Sequence, residues 1–182
     1  MPIITIILIV LALVALFFIS EQRKFVFLSE NIDNALANIE VNLNSRWDAL
    51  KALASAVKSY SEHEFETLSA IIDKRSASAK SAAGVSEGEA LLGSALSRIN
   101  AVAESYPELK ASELYTRTMD SINDYEGKVR VSRMVYNDSV TKLNRAVKMF
   151  PSSIVAGVLG INAKDYLVVD DNKKDMPNLE FR

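Results

Sequence analysis

The sequence predicts an all-α protein: an N-terminal transmembrane helix, then an antiparallel bundle of three long helices, then a short C-terminal helix. Three observations carry this prediction. Residues Ile3 to Ile19 are apolar except for Thr5. From Ile32 onward, apolar residues recur at alternating steps of four and three, the spacing of a helix seam. Helix breakers are scarce, with 6 glycines and 4 prolines in 182 residues, while Ala, Leu, Ser and Lys are abundant, which favours long helices over sheets. The implied organisation is an anchor at 1–21, a helical bundle at 22–160 and an extended tail at 161–182.

The anchor segment Ile3–Ile19 spans roughly 25 Å as a helix, slightly short of a hydrocarbon core of about 30 Å. Pro2 suits a first helical turn, where its missing N–H costs nothing. Arg23 and Lys24 can reach back to the headgroups and complete the span. A cleaved signal peptide fits less well, because no Lys or Arg precedes the apolar run and no A-x-A site follows it. The flanking charge sets the expected orientation. Arg23 and Lys24 lie on the C-terminal side of the span, so the positive-inside rule places the bundle in the cytoplasm and the N-terminus outside. Phe25, Val26 and Phe27 follow directly and are expected to be covered by lipid or by a neighbouring protomer.

The first long helix is expected to run from the anchor to about Tyr60, with Ile32, Leu36, Ile39, Leu43, Leu50, Leu53, Val57 and Tyr60 as its seam. Arg46 takes the one rung that is not apolar. A second helix starts near His63, with Phe65, Leu68, Ile72, Arg75, Ala79 and Ala82 in phase. Gly84 and Gly88 weaken it, since each glycine costs about 1 kcal/mol in a helix. The pattern resumes with Leu92, Leu96, Ile99, Ala103 and Tyr106, and Pro107 marks a turn. The third helix is expected from about Ala111 to Phe150, on the face of Tyr115, Thr118, Ile122, Tyr125, Val129, Ser132, Tyr136, Leu143, Val147 and Phe150. Pro151 stops it. Three helices of similar length joined by short turns imply an up-down-up path that leaves the C-terminal block at the end far from the bilayer.

In that block, Ser152 is expected to cap a short helix that Gly160 terminates. Ile154, Val155, Val158 and Leu159 give it an apolar stripe. Eight or so residues are too few to be helical alone, so the stripe must dock, either on the bundle's own open end or on a partner.

Composition bounds the chemistry. With 21 basic and 23 acidic residues the formal charge is −2, so no broad basic excess exists for a nucleic acid partner. There is no cysteine, hence no disulfide framework and no thiolate metal site. His63 is the single histidine, flanked by Glu62 and Glu64, but zinc needs three or four ligands at a helical spacing absent here. No nucleophile elbow and no phosphate-cradling glycine loop occur. The tyrosines on helical faces read as packing residues. In the tail, Asp170, Asp171 and Asp175 alternate with Lys173 and Lys174, a solvated pattern rather than a cation site. Arg46 and Arg75 stand out, because an arginine in a seam is costly unless paired. Glu126 is the first candidate partner for Arg46 and Glu104 another, with register specification as the consequence. No catalytic residue, cofactor site or metal site is assigned.

Several blocks carry a resemblance. Glu104-Ser105-Tyr106-Pro107-Glu108-Leu109-Lys110-Ala111 resembles the E-x-Y-P-x-L-K-A signature of LemA-family proteins. Glu126 to Arg133, then Tyr136-Asn137-Asp138 and Val140, are similar to the next family block. Phe150-Pro151-Ser152 with Val155-Ala156-Gly157 resembles the family's FPSNLVAG ending, and Val57-Lys58-Ser59-Tyr60-Ser61-Glu62-His63-Glu64 its VKGYAxHE segment. Two departures stand out: Asp48-Ala49-Leu50-Lys51-Ala52-Leu53-Ala54 lacks the family's mid-helix proline, and Asn162-Ala163 replaces an aromatic and a basic residue. The resemblance implies a membrane-anchored antiparallel helical bundle. It carries no reaction with it, since the family has no established enzymatic activity, and some members take part in magnetosome membrane formation. The expected function is therefore a non-enzymatic, membrane-anchored scaffold that forms homo-oligomers or organises other membrane proteins. The alternative is an adaptor that binds a ligand or peptide between its helices.

Overall fold

A computed structural model describes residues 2–74 and 81–167. The described residues form six helices and no strand: α1 (Pro2–Val57), α2 (Glu62–Asp73), α3 (Ala82–Ser105), α4 (Pro107–Ala111), α5 (Glu113–Lys148) and α6 (Ser152–Leu159). Arg75 and Ala79 of the expected second seam, and the charged tail from residue 168, lie outside the described residues.

Anchor and first bundle helix are one element. The 56 residues of α1 are about 84 Å long, with no break after the anchor. Its first part, Ile3 to Phe17, is apolar and exposed on every face, and it is long and apolar enough to cross a membrane. From Phe25 the helix turns amphipathic. Phe25, Leu28, Ile32, Ala35, Ile39, Leu43, Leu50, Leu53 and Val57 are buried in steps of three and four, with Arg46 on the same stripe. The seam thus begins two turns earlier than Ile32, at Phe25. Phe25, expected to be covered by lipid or by a neighbouring protomer, is a core residue of its own bundle, whereas Val26 and Phe27 are exposed.

The second helical stretch departs from expectation. It is two helices of opposite direction, α2 and α3, rather than one returning helix. Ser61 caps α2 by accepting from the Glu64 backbone N–H, and Ser81 caps α3 by accepting from that of Gly84. Gly84 and Gly88 do not interrupt the helix; α3 runs through both. The end of α3 lies beside the start of α2. Arg98 pairs with Glu64 at 2.9 Å, and the Tyr106 ring packs on Tyr60 with centroids 5.9 Å apart. Pro107, at the first turn of α4, and the buried Leu109 close this end. Ser112 then caps α5 by accepting from the Tyr115 N–H.

This extra reversal changes the path. The chain rises in α1, returns in α2, rises in α3 and returns in α5, so α5 ends beside the anchor. The up-down-up path is corrected accordingly: the C-terminal block sits at the membrane-proximal end, not the far one. Val155 and Ala156 of α6 share a core cluster with Phe25 and Leu28, and Phe18 packs against it.

Beyond Gly160, residues 161–167 run back along α5. Two asparagines one heptad apart hold them. Asn144 donates to the Lys164 carbonyl and accepts from its N–H, both at 2.8 Å. Asn137 does the same for Leu167, at 3.0 and 2.9 Å. Each side-chain amide substitutes for a neighbouring strand and satisfies backbone groups that are not in a helix. The Tyr136 hydroxyl donates to the Asp165 carbonyl; burial pushes this phenol up, with the Asp165 charge adding to it, so it stays a neutral donor. Leu167 is 2% exposed and belongs to the same core as Phe25.

Replacing Asn144 by Ala orphans the Lys164 N–H and carbonyl, at a cost of about 1–3 kcal/mol. Hydrogen exchange at Lys164 and Leu167 is expected to accelerate at least tenfold while amides of α1 and α5 keep their protection. Unchanged exchange at both positions would show that the segment is held by other contacts.

Candidate functional site

Two features of the bundle carry its specific chemistry: a charged layer at mid-height and an apolar surface beside the anchor. The layer separates two apolar clusters. Leu43, Val85 and Val129 belong to the membrane-proximal cluster, and Trp47, Leu92 and Ile122 to the distal one. Between them lie Arg46 of α1, Glu89 of α3 and Glu126 of α5, and Arg133 stands two turns after Glu126 on α5, just past Val129.

The Arg46 Nη2 donates to Glu126 Oε2 at 3.2 Å, across 80 positions of sequence. This is the carboxylate named from the sequence; the second candidate, Glu104, instead lies at the distal end of α3. The Arg46 side chain is 8% exposed and that of Glu126 36%. The Arg46 Nε is buried with no hydrogen-bond partner, so part of the desolvation cost of the guanidinium is not recovered. Burial accordingly pulls its pKa down, opposed by the charges of Glu126 and Glu89, and an arginine so placed remains a cation. Glu126 also meets Arg130 at 3.7 Å. Arg133 on α5 donates to Glu89 on α3, with both side chains mostly buried. These pairs tie α1 to α5 and α3 to α5 within two turns of α5, or about 10 Å along its axis. A shift of one helical turn would strand the charges in apolar surroundings, so the layer fixes register.

At the membrane-proximal end, α6 docks through Ser152, Val155 and Ala156. Ser152 does not cap α6 as expected. It lies inside the first turn and donates back to the Ala146 and Met149 carbonyls at the end of α5. Gly160 terminates α6 in the left-handed conformation, φ 67°, as its position predicts. The expected stripe is split: Val155 is buried, while Ile154, Val158 and Leu159 face outward. Phe150, placed on the α5 seam by periodicity, is also exposed, because α5 ends at Lys148 and the chain turns before Phe150. A groove of about 440 Å³ runs here between α1 and the α5–α6 turn, bordered by Glu21, Lys24, Arg145, Phe150 and Pro151. Lys24 pairs with Glu21 at 3.2 Å, and Arg23 is exposed.

His63 is exposed in the first turn of α2. Among the described residues, no group of three His, Cys, Asp or Glu side chains is placed to hold a metal ion. Sequence reasoning missed Glu89, Arg133, Asn137 and Asn144. The two asparagines left one trace, their heptad spacing directly after the seam residues Tyr136 and Leu143, which does not name the extended backbone they hold.

The two halves of the central ion pair are expected to behave differently. Glu126→Ala leaves Arg46 buried beside Glu89 alone and should cost about 2–3 kcal/mol, below the range for a fully enclosed pair because Glu126 is partly solvated. Arg46→Met removes the buried cation and is expected to be neutral or stabilising by about 1 kcal/mol. Urea unfolding of the full chain in detergent, followed through Trp47 beside the layer, measures both. A greater loss for Arg46→Met than for Glu126→Ala would contradict this assignment.

Comparison with known proteins accords with the geometry. The chain is similar to the magnetosome protein MamQ of Magnetospirillum gryphiswaldense, 24% identical over 187 positions, covering 86% of this chain and 69% of that one. It is 23% identical to the magnetosome proteins MamQ 1 and MamQ 2 of Paramagnetospirillum magneticum, covering 80% of this chain and 64% of each. The chain thus spans about two thirds of the length of these relatives. The family model that matches covers residues 35–181, described as the LemA family. That match takes in the seam, the charged layer, the tyrosine-bearing distal end and the C-terminal block: the chain belongs to the LemA family.

Proposed function

We propose that this protein is a non-enzymatic, membrane-anchored helical scaffold that assembles with copies of itself and organises proteins in its membrane. The observation that carries the proposal is the continuity of α1. One helix forms both the anchor and the longest strut of the bundle, so the bundle is held rigidly at a fixed height and angle above the bilayer. The 33 residues from Phe25 to Val57 raise its tip by about 50 Å. Such an arrangement suits presentation of helix faces to neighbours. α5 offers one such face, with Val131, Met134 and Val135 exposed at helical spacing. The relatives named as magnetosome proteins favour a role at a membrane.

One observation favours binding between the helices instead. A groove of about 640 Å³ between α1 and α5 is lined by Asn38, Asn42, Asn123, Lys128 and Val131. Side-chain amides already hold extended backbone elsewhere on α5, and an extended peptide fits this chemistry. Orientation completes the proposal: Arg23 and Lys24 after the span favour a cytoplasmic bundle by the positive-inside rule.

In mild detergent the full-length protein is expected to have the mass of a homo-oligomer, and Met134→Ser with Val135→Ser to reduce it. A monomer in wild type contradicts self-assembly and favours the groove. A reporter fused after Arg182 is expected to be active only if it matures in the cytoplasm; activity of a periplasm-dependent reporter reverses the orientation.

A further inference from the structure

The outward face of α6 is apolar, although its inner face already satisfies the docking requirement of so short a helix. Phe150 is 80% exposed, Val158 68% and Ile154 58%. Ile154 and Val158 are one turn apart on α6, with Gly157 exposed between them, so they form one strip with no polar side chain in it. Phe150 stands just before the helix.

The position of this strip identifies what covers it. Phe150 and Pro151 border the same groove as Glu21, and Glu21 is two residues past the apolar run ending at Ile19, or about 3 Å along the helix axis. Phe18, still within that run, packs on the core cluster that includes Val155 and Ala156. The apolar strip is therefore at the height where the anchor leaves the hydrocarbon. Arg23, Lys24, Arg145 and Lys148 are exposed at this level, a cationic rim suited to lipid phosphates, with Glu21 engaged by Lys24. An apolar face backed by cations and lying at the boundary is the pattern of an interfacial helix.

We propose that α6 together with Phe150 is a second membrane contact, inserting Phe150, Ile154 and Val158 into the leaflet from which the anchor emerges. The protein would then touch the bilayer at two points, which stops anchor and bundle from turning together about the α1 axis. The inference rests on α1 spanning the membrane and does not require self-assembly.

The absence of cysteine permits a direct test. Single variants Ile154→Cys and Val158→Cys carry a nitroxide in full-length protein reconstituted into phosphatidylcholine–phosphatidylglycerol vesicles. Collision with oxygen, enriched in lipid, is compared with collision with a polar nickel complex. Val10→Cys in the anchor and Leu114→Cys, an exposed apolar site at the distal end, serve as references. The expected result is at least a threefold higher oxygen-to-nickel ratio at 154 and 158 than at 114, approaching the ratio at 10. A ratio equal to that at 114 would place α6 in water and overturn the proposal. Low access to both reagents would mean that protein covers the strip, which also overturns it. A watery ratio at Val10→Cys would indict the anchor itself, distinguishing that failure from failure of α6. Because all four positions are exposed, the variants are expected to keep wild-type helicity.

Discussion

The antiparallel packing of α1 on α5 is the constraint on which the rest of the structure depends. α1 packs more extensively on α5 than on any other helix, and α5 is what carries the charged layer, the asparagine pair and the turn into α6. A plain apolar seam between two long helices would be tolerant of sliding by a turn, since leucine, isoleucine and valine rungs are nearly interchangeable. Arg46 and Glu126 remove that tolerance. Their contribution is less to net stability, because burying the guanidinium costs much of what the pair returns, than to making every other register expensive. With register fixed, Asp33 on α1 meets Lys164 of the returning segment at 3.2 Å, Asn137 and Asn144 present their amides to Leu167 and Lys164, and Val155 arrives beside Phe25.

Much of this was legible in the sequence, for reasons that are local. Heptad spacing is a property of neighbouring residues, so the stripe from Ile32 to Val57 and the rungs at Ile122, Val129, Tyr136 and Leu143 could be read directly. Arg46 was legible because it violates its own stripe. Direction was not. The steps through Phe65, Leu68 and Ile72, and again through Leu92, Ile99 and Ala103, look the same whether the chain continues or reverses between them, because periodicity carries no sign. One unread reversal changes the number of passes, and so moves Phe150 to Gly160 from one end of the bundle to the other. The glycines at 84 and 88 drew attention to the wrong place: α3 tolerates them, since its packing on α1 offsets their weak propensity.

The asparagine clamp was hidden for a different reason. Asparagine is ordinarily a surface, turn or cap residue, and the segment it holds has no period at all. Only the fold reveals that a helix seam can end by binding extended backbone instead of another helix. The same economy explains Phe150. Periodicity extends the seam to it, but the chain leaves helical geometry after Lys148, and the ring turns away from the core toward the level where the anchor meets the bilayer. Two exposed apolar regions, the anchor and the face of α6, thereby come together from distant parts of the sequence.

The central claim is that the last helical pass returns to the membrane. A pair of nitroxides at Lys24→Cys and Met149→Cys in otherwise wild-type, full-length protein reports it as a single distance. The fold described here predicts a short separation, on the order of the 10 Å spacing of packed helices plus the reach of two labels. A three-pass bundle with its C-terminal block at the far end would instead give a separation approaching the bundle's length of about 50 Å, and that result would contradict the account.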